Sequence, residues 1–368
     1  MEKVIYPSSE RQRPLQSLAF HENNILSRDL PRDTVLKGIS LRLSGAVQTT
    51  FGSGTPVADT LSTFDNIIPR IDIIVNGNRT VCSVRPFSLR IQQIYVSNTI
   101  GERKASAGAA AVSLPTADGG FAYGTTTQYT TVAETLYLPF EHVYCEPGLG
   151  RETTWLNLKG VASAEVRLTT SAFSRLLGFG NTAPVTYGNS TLLIDIITKE
   201  AQEIAPNVLF SDWKRTTKEI TFSAQTTDFA VDINRGNKLS GIWLFARGGE
   251  AGSATTASGK LASDLAIEKL SLKVNGQTDI KSTTFLNLQA ENRNIYGINA
   301  PTTSSVSLIQ GCAHMNLLAR RDISTALPVM PPLVDNLQLF VNTASASVVS
   351  YTNPVSLTVE TQEVVEPR

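Results

Sequence analysis

One pattern is written twice in this chain. Asp29-Leu30-Pro31-Arg32 leads into Leu36-Lys37-Gly38-Ile39-Ser40-Leu41, and 203 residues later Asp232-Ile233-Asn234-Arg235 leads into Leu239-Ser240-Gly241-Ile242-Trp243-Leu244. Asp, Arg, Leu, Gly, Ile and Leu keep their spacing without a gap. A second landmark follows each copy: Ile73-Ile74-Val75-Asn76-Gly77 in the first, Leu272-Lys273-Val274-Asn275-Gly276 in the second. Solenoid repeats recur every ~20–50 residues. A period this long therefore describes two related domains rather than an array, and 368 residues suffice for two hydrophobic cores.

Within each copy the dominant signal is period-two alternation. Ile39-Ser40-Leu41-Arg42-Leu43-Ser44, Thr217-Lys218-Glu219-Ile220-Thr221-Phe222 and Lys269-Leu270-Ser271-Leu272-Lys273-Val274 alternate apolar and polar residues. That is the pattern of strands with one face on a core. Asn76-Gly77 and Asn275-Gly276 supply the positive φ of a tight hairpin. After each turn comes a short helical stripe: Phe87, Ile91, Ile94 and Tyr95 in the first copy, and Phe285, Leu288, Ile295 and Tyr296 in the second, where Asn292 interrupts it. A further short helix is expected over 172–177. Each copy closes on two strands, 164–168 with 192–196 and 336–340 with 355–359. Many strands and few helices predict an all-β sandwich or barrel.

The resulting layout is an N-terminal arm over 1–30, a first unit over 31–205, a linker over 206–216 and a second unit over 217–368. Residues 101–132 and 247–260 are rich in Gly, Ala and Thr and are expected to be long loops.

Lys+Arg and Asp+Glu balance at 32 each, so the formal charge is zero. A protein that coats nucleic acid needs excess positive charge to displace counterions, and the expectation here is no direct nucleic-acid contact. Charged residues are only 17% of the chain, which suits a surface that packs against neighbours. Met1–Pro7 lacks the apolar run of a signal peptide, and no stretch is long enough to cross a bilayer. Cys82, Cys145 and Cys312 show no metal-type spacing and read as reduced, buried thiols of a cytosolic product.

Catalytic sets are missing from the sequence. The histidines are His21, His142 and His314. Phe140-Glu141-His142 and Cys312-Ala313-His314 stand in similar places of the two copies, but a repeat puts them in different domains, and both read as structural. The glycine run ending in Gly259-Lys260 imitates a phosphate loop, yet Ala254 stands where glycine is needed and Leu261 where Ser or Thr must bind magnesium. Asp232–Gly236 opens like a calcium loop, but Trp243 occupies the place of its closing Glu, so it reads as a turn before a strand. No catalytic residue, cofactor site or metal site is expected, and the chain reads as no enzyme.

Two tandem β-rich units, each with a strand, a Val-Asn-Gly turn and a short helix, resemble the double jelly-roll major capsid proteins of tailless icosahedral viruses. The likeness is to the membrane-containing bacteriophages (corticoviruses, tectiviruses, autolykiviruses). The resemblance implies two eight-stranded jelly-roll sandwiches, and a homotrimer whose six jelly rolls form a pseudo-hexagonal capsomer. It further implies contacts with neighbouring capsomers and with penton or minor capsid proteins, and an N-terminal arm reaching an internal viral membrane or its proteins. The location implied is the virion, after synthesis in the host cytoplasm. Two other classes compete: a two-domain jelly-roll enzyme acting on glycans, of the amidase kind, and a viral spike or carbohydrate-binding protein.

Overall fold

The computed structural model describes residues 10–51, 65, 67–97, 128–173, 185–188, 191–201, 208–249, 262–298, 310–331 and 334–366. The principal strands of the first unit are β1 (Glu10–Pro14), β2 (Ile25–Asp29), β3 (Val35–Phe51), β4 (Arg70–Val75), β5 (Arg79–Val84), β6 (Gln128–Pro139), β7 (Ala164–Thr169) and β8 (Leu193–Ala201), with helix α1 (Pro86–Ser97) after β5. Those of the second are β9 (Asp212–Phe222), β10 (Phe229–Asp232), β11 (Lys238–Arg247), β12 (Ile267–Val274), β13 (Thr278–Thr284), β14 (Cys312–Asn316), β15 (Leu337–Thr343) and β16 (Val355–Val365), with helix α2 (Phe285–Tyr296) after β13.

The first unit stacks a sheet of order β1-β8-β3-β6 on one of order β2-β7-β4-β5. The second stacks β9-β16-β11-β14 on β10-β15-β12-β13. Adding eight to every label of the first unit reproduces the second. Each unit is an antiparallel eight-stranded jelly roll, as expected. Each has its own core: Leu41, Leu43, Ile73, Val166 and Ile196 in the first, Ile242, Leu244, Leu272, Leu339 and Leu357 in the second. The inward residues alternate with outward ones along each strand, which is why the period-two pattern was readable.

The repeated residues have a common physical role. Asn76 and Asn275 stand at φ 55° and 52°, followed by Gly77 and Gly276 at 74° and 69°, so both hairpins turn through two left-handed residues. The same asparagines reach across the sheet. Asn76 Oδ1 accepts from the Ala162 amide at 2.8 Å, and Asn275 Oδ1 accepts from Asp335 and Asn336 at 2.8 and 3.1 Å. Arg32 and Arg235, 203 residues apart, donate to the carbonyls of the same two segments, at Ala162 and at Val334 and Asp335. Asparagine and arginine together clasp the entries to β7 and β15.

The repeated glycines solve a steric problem. A Cβ on Gly38 would stand 2.5 Å from Cζ of Tyr137, and one on Gly241 would stand 2.6 Å from Nε2 of His314. In each unit a ring from the neighbouring strand lies over the glycine. The strand register makes the rings counterparts, because Ser40 pairs with Tyr137 and Trp243 with His314. The partner of His314 in the repeat is thus Tyr137, not His142. Register slips also recur, beside Gly38 in the β3–β8 pair and beside Gly241 in the β11–β16 pair.

Three boundaries differ from the sequence reading. Residues 10–30 are not an arm: β1 pairs with β8, β2 pairs with β7, and Leu26 and Leu30 lie in the first core. These strands escape notice because β1 is a polar edge strand, Glu-Arg-Gln-Arg-Pro, with little to bury. The expected linker 206–216 runs into β9, where Trp213 is buried. The loop expected over 101–132 gives way to β6 from Gln128 onward; residues 101–127, 174–177 and 250–260 lie outside the described residues.

Candidate functional site: the seam between the two units

The two jelly rolls are joined at a sheet edge. β5 of the first and β9 of the second run parallel, with Arg215 opposite Cys82 and Thr216 opposite Ser83. Beside this edge, α1 and the segment 140–155 of the first unit cover the outer face of β11 and β16. The third apolar cluster of the molecule forms there, from Phe87, Ile91 and Tyr95 of α1, Val143 and Tyr144, and Trp213, Trp243, Phe245, Tyr296, Ile298 and Cys312 of the second unit. Phe87 meets Phe245 at 4.2 Å between ring centroids, Tyr95 stacks on Tyr296 at 5.3 Å, and Tyr144 stacks on His314 at 3.8 Å.

Why the second unit accepts this cover is visible in one strand. In β3 the outward residues are Ser40 and Arg42; their counterparts in β11 are Trp243 and Phe245. Inward residues are apolar in both copies. Hence β11 is buried on both faces, whereas β3 is buried on one.

A polar thread crosses the seam. Arg215, fully buried and lying over the Trp213 ring, donates to the Pro139 carbonyl at 2.7 Å and to Gln92 Oε1 at 3.4 Å. Gln92 Nε2 and Gln362 Nε2 both donate to Glu360 Oε1, at 3.0 and 3.2 Å. That fixes the Gln362 amide with its oxygen toward His314 Nε2, 3.0 Å away. A neutral imidazole must then donate from Nε2 and accept at Nδ1, where the Tyr296 hydroxyl donates at 2.6 Å. Asn292, the residue that broke the helical stripe, holds the backbone of His314 in both directions at 2.6 and 2.7 Å. These bonds satisfy buried polar groups and fix the mutual register of the units.

The packing of one unit on the other, not the repeat, brings His142 and His314 into one cluster, with Tyr144 between them. His142 packs on Trp213 at 4.6 Å and edge-on to Tyr144, whose other neighbour is His314. Burial lowers both imidazoles to about 3, with mutual repulsion adding to the effect on His142. Cys145 Sγ lies 3.2 Å from His142 Nδ1. Burial pushes the Cys145 thiol up to about 12. An activated thiolate–imidazolium pair needs the opposite order, a thiol more acidic than its imidazole, so this pair is held neutral. Cys82 and Cys312 are also buried and in no disulfide. His21 is exposed in the first unit, its carbonyl accepting from the Thr170 hydroxyl. Asp232 accepts from Gln338 while Arg235 clasps the next segment, so the calcium-like sequence is a turn before β11. Among the described residues no group of His, Cys, Asp or Glu is arranged to hold a metal. No described helix is long and apolar enough to cross a membrane.

No family model matches the sequence, and no curated protein does. Solved structures do match over nearly the whole chain. The MCP of STIV, Sulfolobus Turreted Icosahedral Virus, is 13% identical with a TM-score of 0.65, covering 98% of each chain. The major capsid protein P2 from Bacteriophage PM2 is 10% identical with a TM-score of 0.52, over 98% of this chain and 99% of that one. The PBCV-1 virus capsid is 10% identical with a TM-score of 0.55, over 99% and 96%. Likeness at this level of identity is likeness of fold: the chain is a double jelly roll of the kind these capsid proteins share.

Proposed function

We propose that this chain is the major capsid protein of a tailless icosahedral virus, a structural protein of the virion with no catalytic role. The observation that carries the reading is the joining of two topologically identical walls into one body. Two similar walls per chain let three chains present six, and six walls around one axis tile a hexagonal lattice. The seam serves that purpose, because an apolar cluster threaded by fixed hydrogen bonds holds the walls at one angle. A spike needs only one receptor-binding sandwich and gives no account of the seam.

In this reading the homotrimer is the capsomer, and its neighbours are further capsomers, penton and minor capsid proteins, and a membrane beneath the shell. Synthesis is in the host cytoplasm. Strands within residues 10–30 are built into the sheets, so this stretch supplies no arm for a membrane contact. Light scattering of the purified protein is expected to give the mass of three chains. A monodisperse monomer at high concentration would sink the proposal.

A further inference from the structure

The seam buries the outer β9-β16-β11-β14 face of the second unit under the first. Among the described residues nothing covers the corresponding β1-β8-β3-β6 face of the first unit in this way: Arg42 is exposed and Ser40 half-buried. The repeat says what would fit it. The helices align at an offset of 199, the offset of the two Asn-Gly turns: Leu89 and Leu288 lie in their own cores, and Arg90 binds Asp65 as Gln289 binds Asp264. The α1 residues sunk into the seam, Phe87, Ile91 and Tyr95, therefore correspond to Leu286, Ala290 and Asn294. Leu286 is 51% exposed, and Ala290 and Asn294 are exposed too.

Both sides of the would-be contact are reduced in step. On the helix, Phe, Ile and Tyr become Leu, Ala and Asn; on the sheet, Trp243 and Phe245 become Ser40 and Arg42. Charge follows the same rule. Gln92 and Gln362 meet on one oxygen of Glu360 inside the seam. The helix counterpart of Gln92 is Glu291. The counterpart of Gln362 is Lys199, since Lys199 pairs with Gly38 as Gln362 pairs with Gly241. Opposite charges stand where two neutral amides meet internally, each beside an ion-pair partner of its own unit, Glu291 with Lys281 and Lys199 with Glu10.

We infer that α2 of one copy docks on the open β1-β8-β3-β6 face of a second copy of this chain, a smaller and charged edition of the internal seam. This rests on the capsid reading and names the surfaces through which copies join. The contact is head-to-tail, because donor and acceptor surfaces differ, and such a contact closes into a ring when the rotation permits. The apolar seam is made once, in folding; the polar one joins chains that are already folded, and it weakens with salt.

Phe87 and Phe245 touch, so Leu286 of one copy is expected beside Arg42 of the next. The test is the Leu286→Cys/Arg42→Cys double variant, oxidised mildly and run without reductant, with each single variant and the parent as controls. The expected result is a covalent ladder that ends at three chains and appears only in the double variant. A trimer by light scattering that gives no cross-link overturns this surface and leaves the capsid reading standing. A monomer overturns both, and a ladder beyond three overturns ring closure. Charge reversal gives an independent readout: Glu291→Lys and Lys199→Glu are each expected to weaken association at least tenfold at low salt, and the two together to restore it. Failure of the pair to restore association, with circular dichroism unchanged, counts against the inference.

Discussion

Replacing Trp243 by alanine is expected to uncouple the two jelly rolls without dismantling either. Trp243 is 1% exposed and lies against α1 of the other unit. A buried indole removes about 200 Å² from water, worth about 5 kcal/mol at ~25 cal/mol per Å². The cost measured for such truncations, about 3–5 kcal/mol, is of the same size. Its neighbours Ile242 and Leu244 point the other way, into the core of the second unit, so the loss falls on the seam. The assay follows from the position of the tryptophans. In Trp243→Ala, Trp213 still reports the seam, while Trp155 packs with Phe210 elsewhere. In urea the parent is expected to lose fluorescence and far-ultraviolet circular dichroism together. In Trp243→Ala the fluorescence change should come first, with a loss of about 3–5 kcal/mol in the coupling of the units. Leu244→Ala, one residue away and facing the core, should cost about 2–5 kcal/mol while both probes stay coincident. Coincident probes in Trp243→Ala, with a loss below about 1 kcal/mol, would refute the assignment of this residue to the seam.

Gly241→Ala should destabilise more than Gly38→Ala. Both place a Cβ inside a ring, but His314 is pinned by Tyr296, Gln362 and Asn292, whereas Tyr137 is only partly buried and can swing aside. Overpacking of about 1–3 kcal/mol is expected at Gly241 and less at Gly38, measured as the shift in denaturation midpoint; the reverse order would contradict the ring-over-glycine account. Acid should also weaken the fold through the buried histidines. Their folded values near 3 lie below the usual ~6.5. The stability from keeping them neutral is thus complete above about pH 6.5 and is lost as pH falls toward 3, because the unfolded chain takes up the protons first. Between pH 7.5 and 4.5 each histidine should account for about 2–3 kcal/mol. His142→Gln should reduce the pH dependence by about that amount, and an unchanged dependence would contradict its burial as the neutral form.

The parts of the fold that were legible in the sequence are those where a residue type answers a local demand. Asn-Gly marks the hairpins because positive φ is needed twice in succession, and the alternation in Ile39–Ser44 marks a strand wet on one side. The strand β1 was not legible, since an edge strand of Glu, Arg, Gln and Arg carries no burial pattern, and β2 buries only Leu26. The histidine cluster was not legible either, because His142 and His314 meet only through the packing of one unit on the other. The seam itself left a readable trace. Where β3 alternates, β11 runs Ile-Trp-Leu-Phe-Ala without a break, and a residue-by-residue comparison of the two copies isolates Trp243 and Phe245 as additions to the outer face. Asn292 shows the opposite case: as a flaw in an apolar stripe it suggested a weaker helix, and in the fold it holds His314 at both backbone groups.

The central claim is that one chain supplies two equivalent walls, so that a three-fold assembly acquires six. Negative-stain electron microscopy of the purified protein at micromolar concentration tests this most directly. Class averages should show compact particles with six similar lobes around a three-fold axis. Two-lobed single chains, or assemblies whose lobes fall into no three-fold pattern, would contradict it.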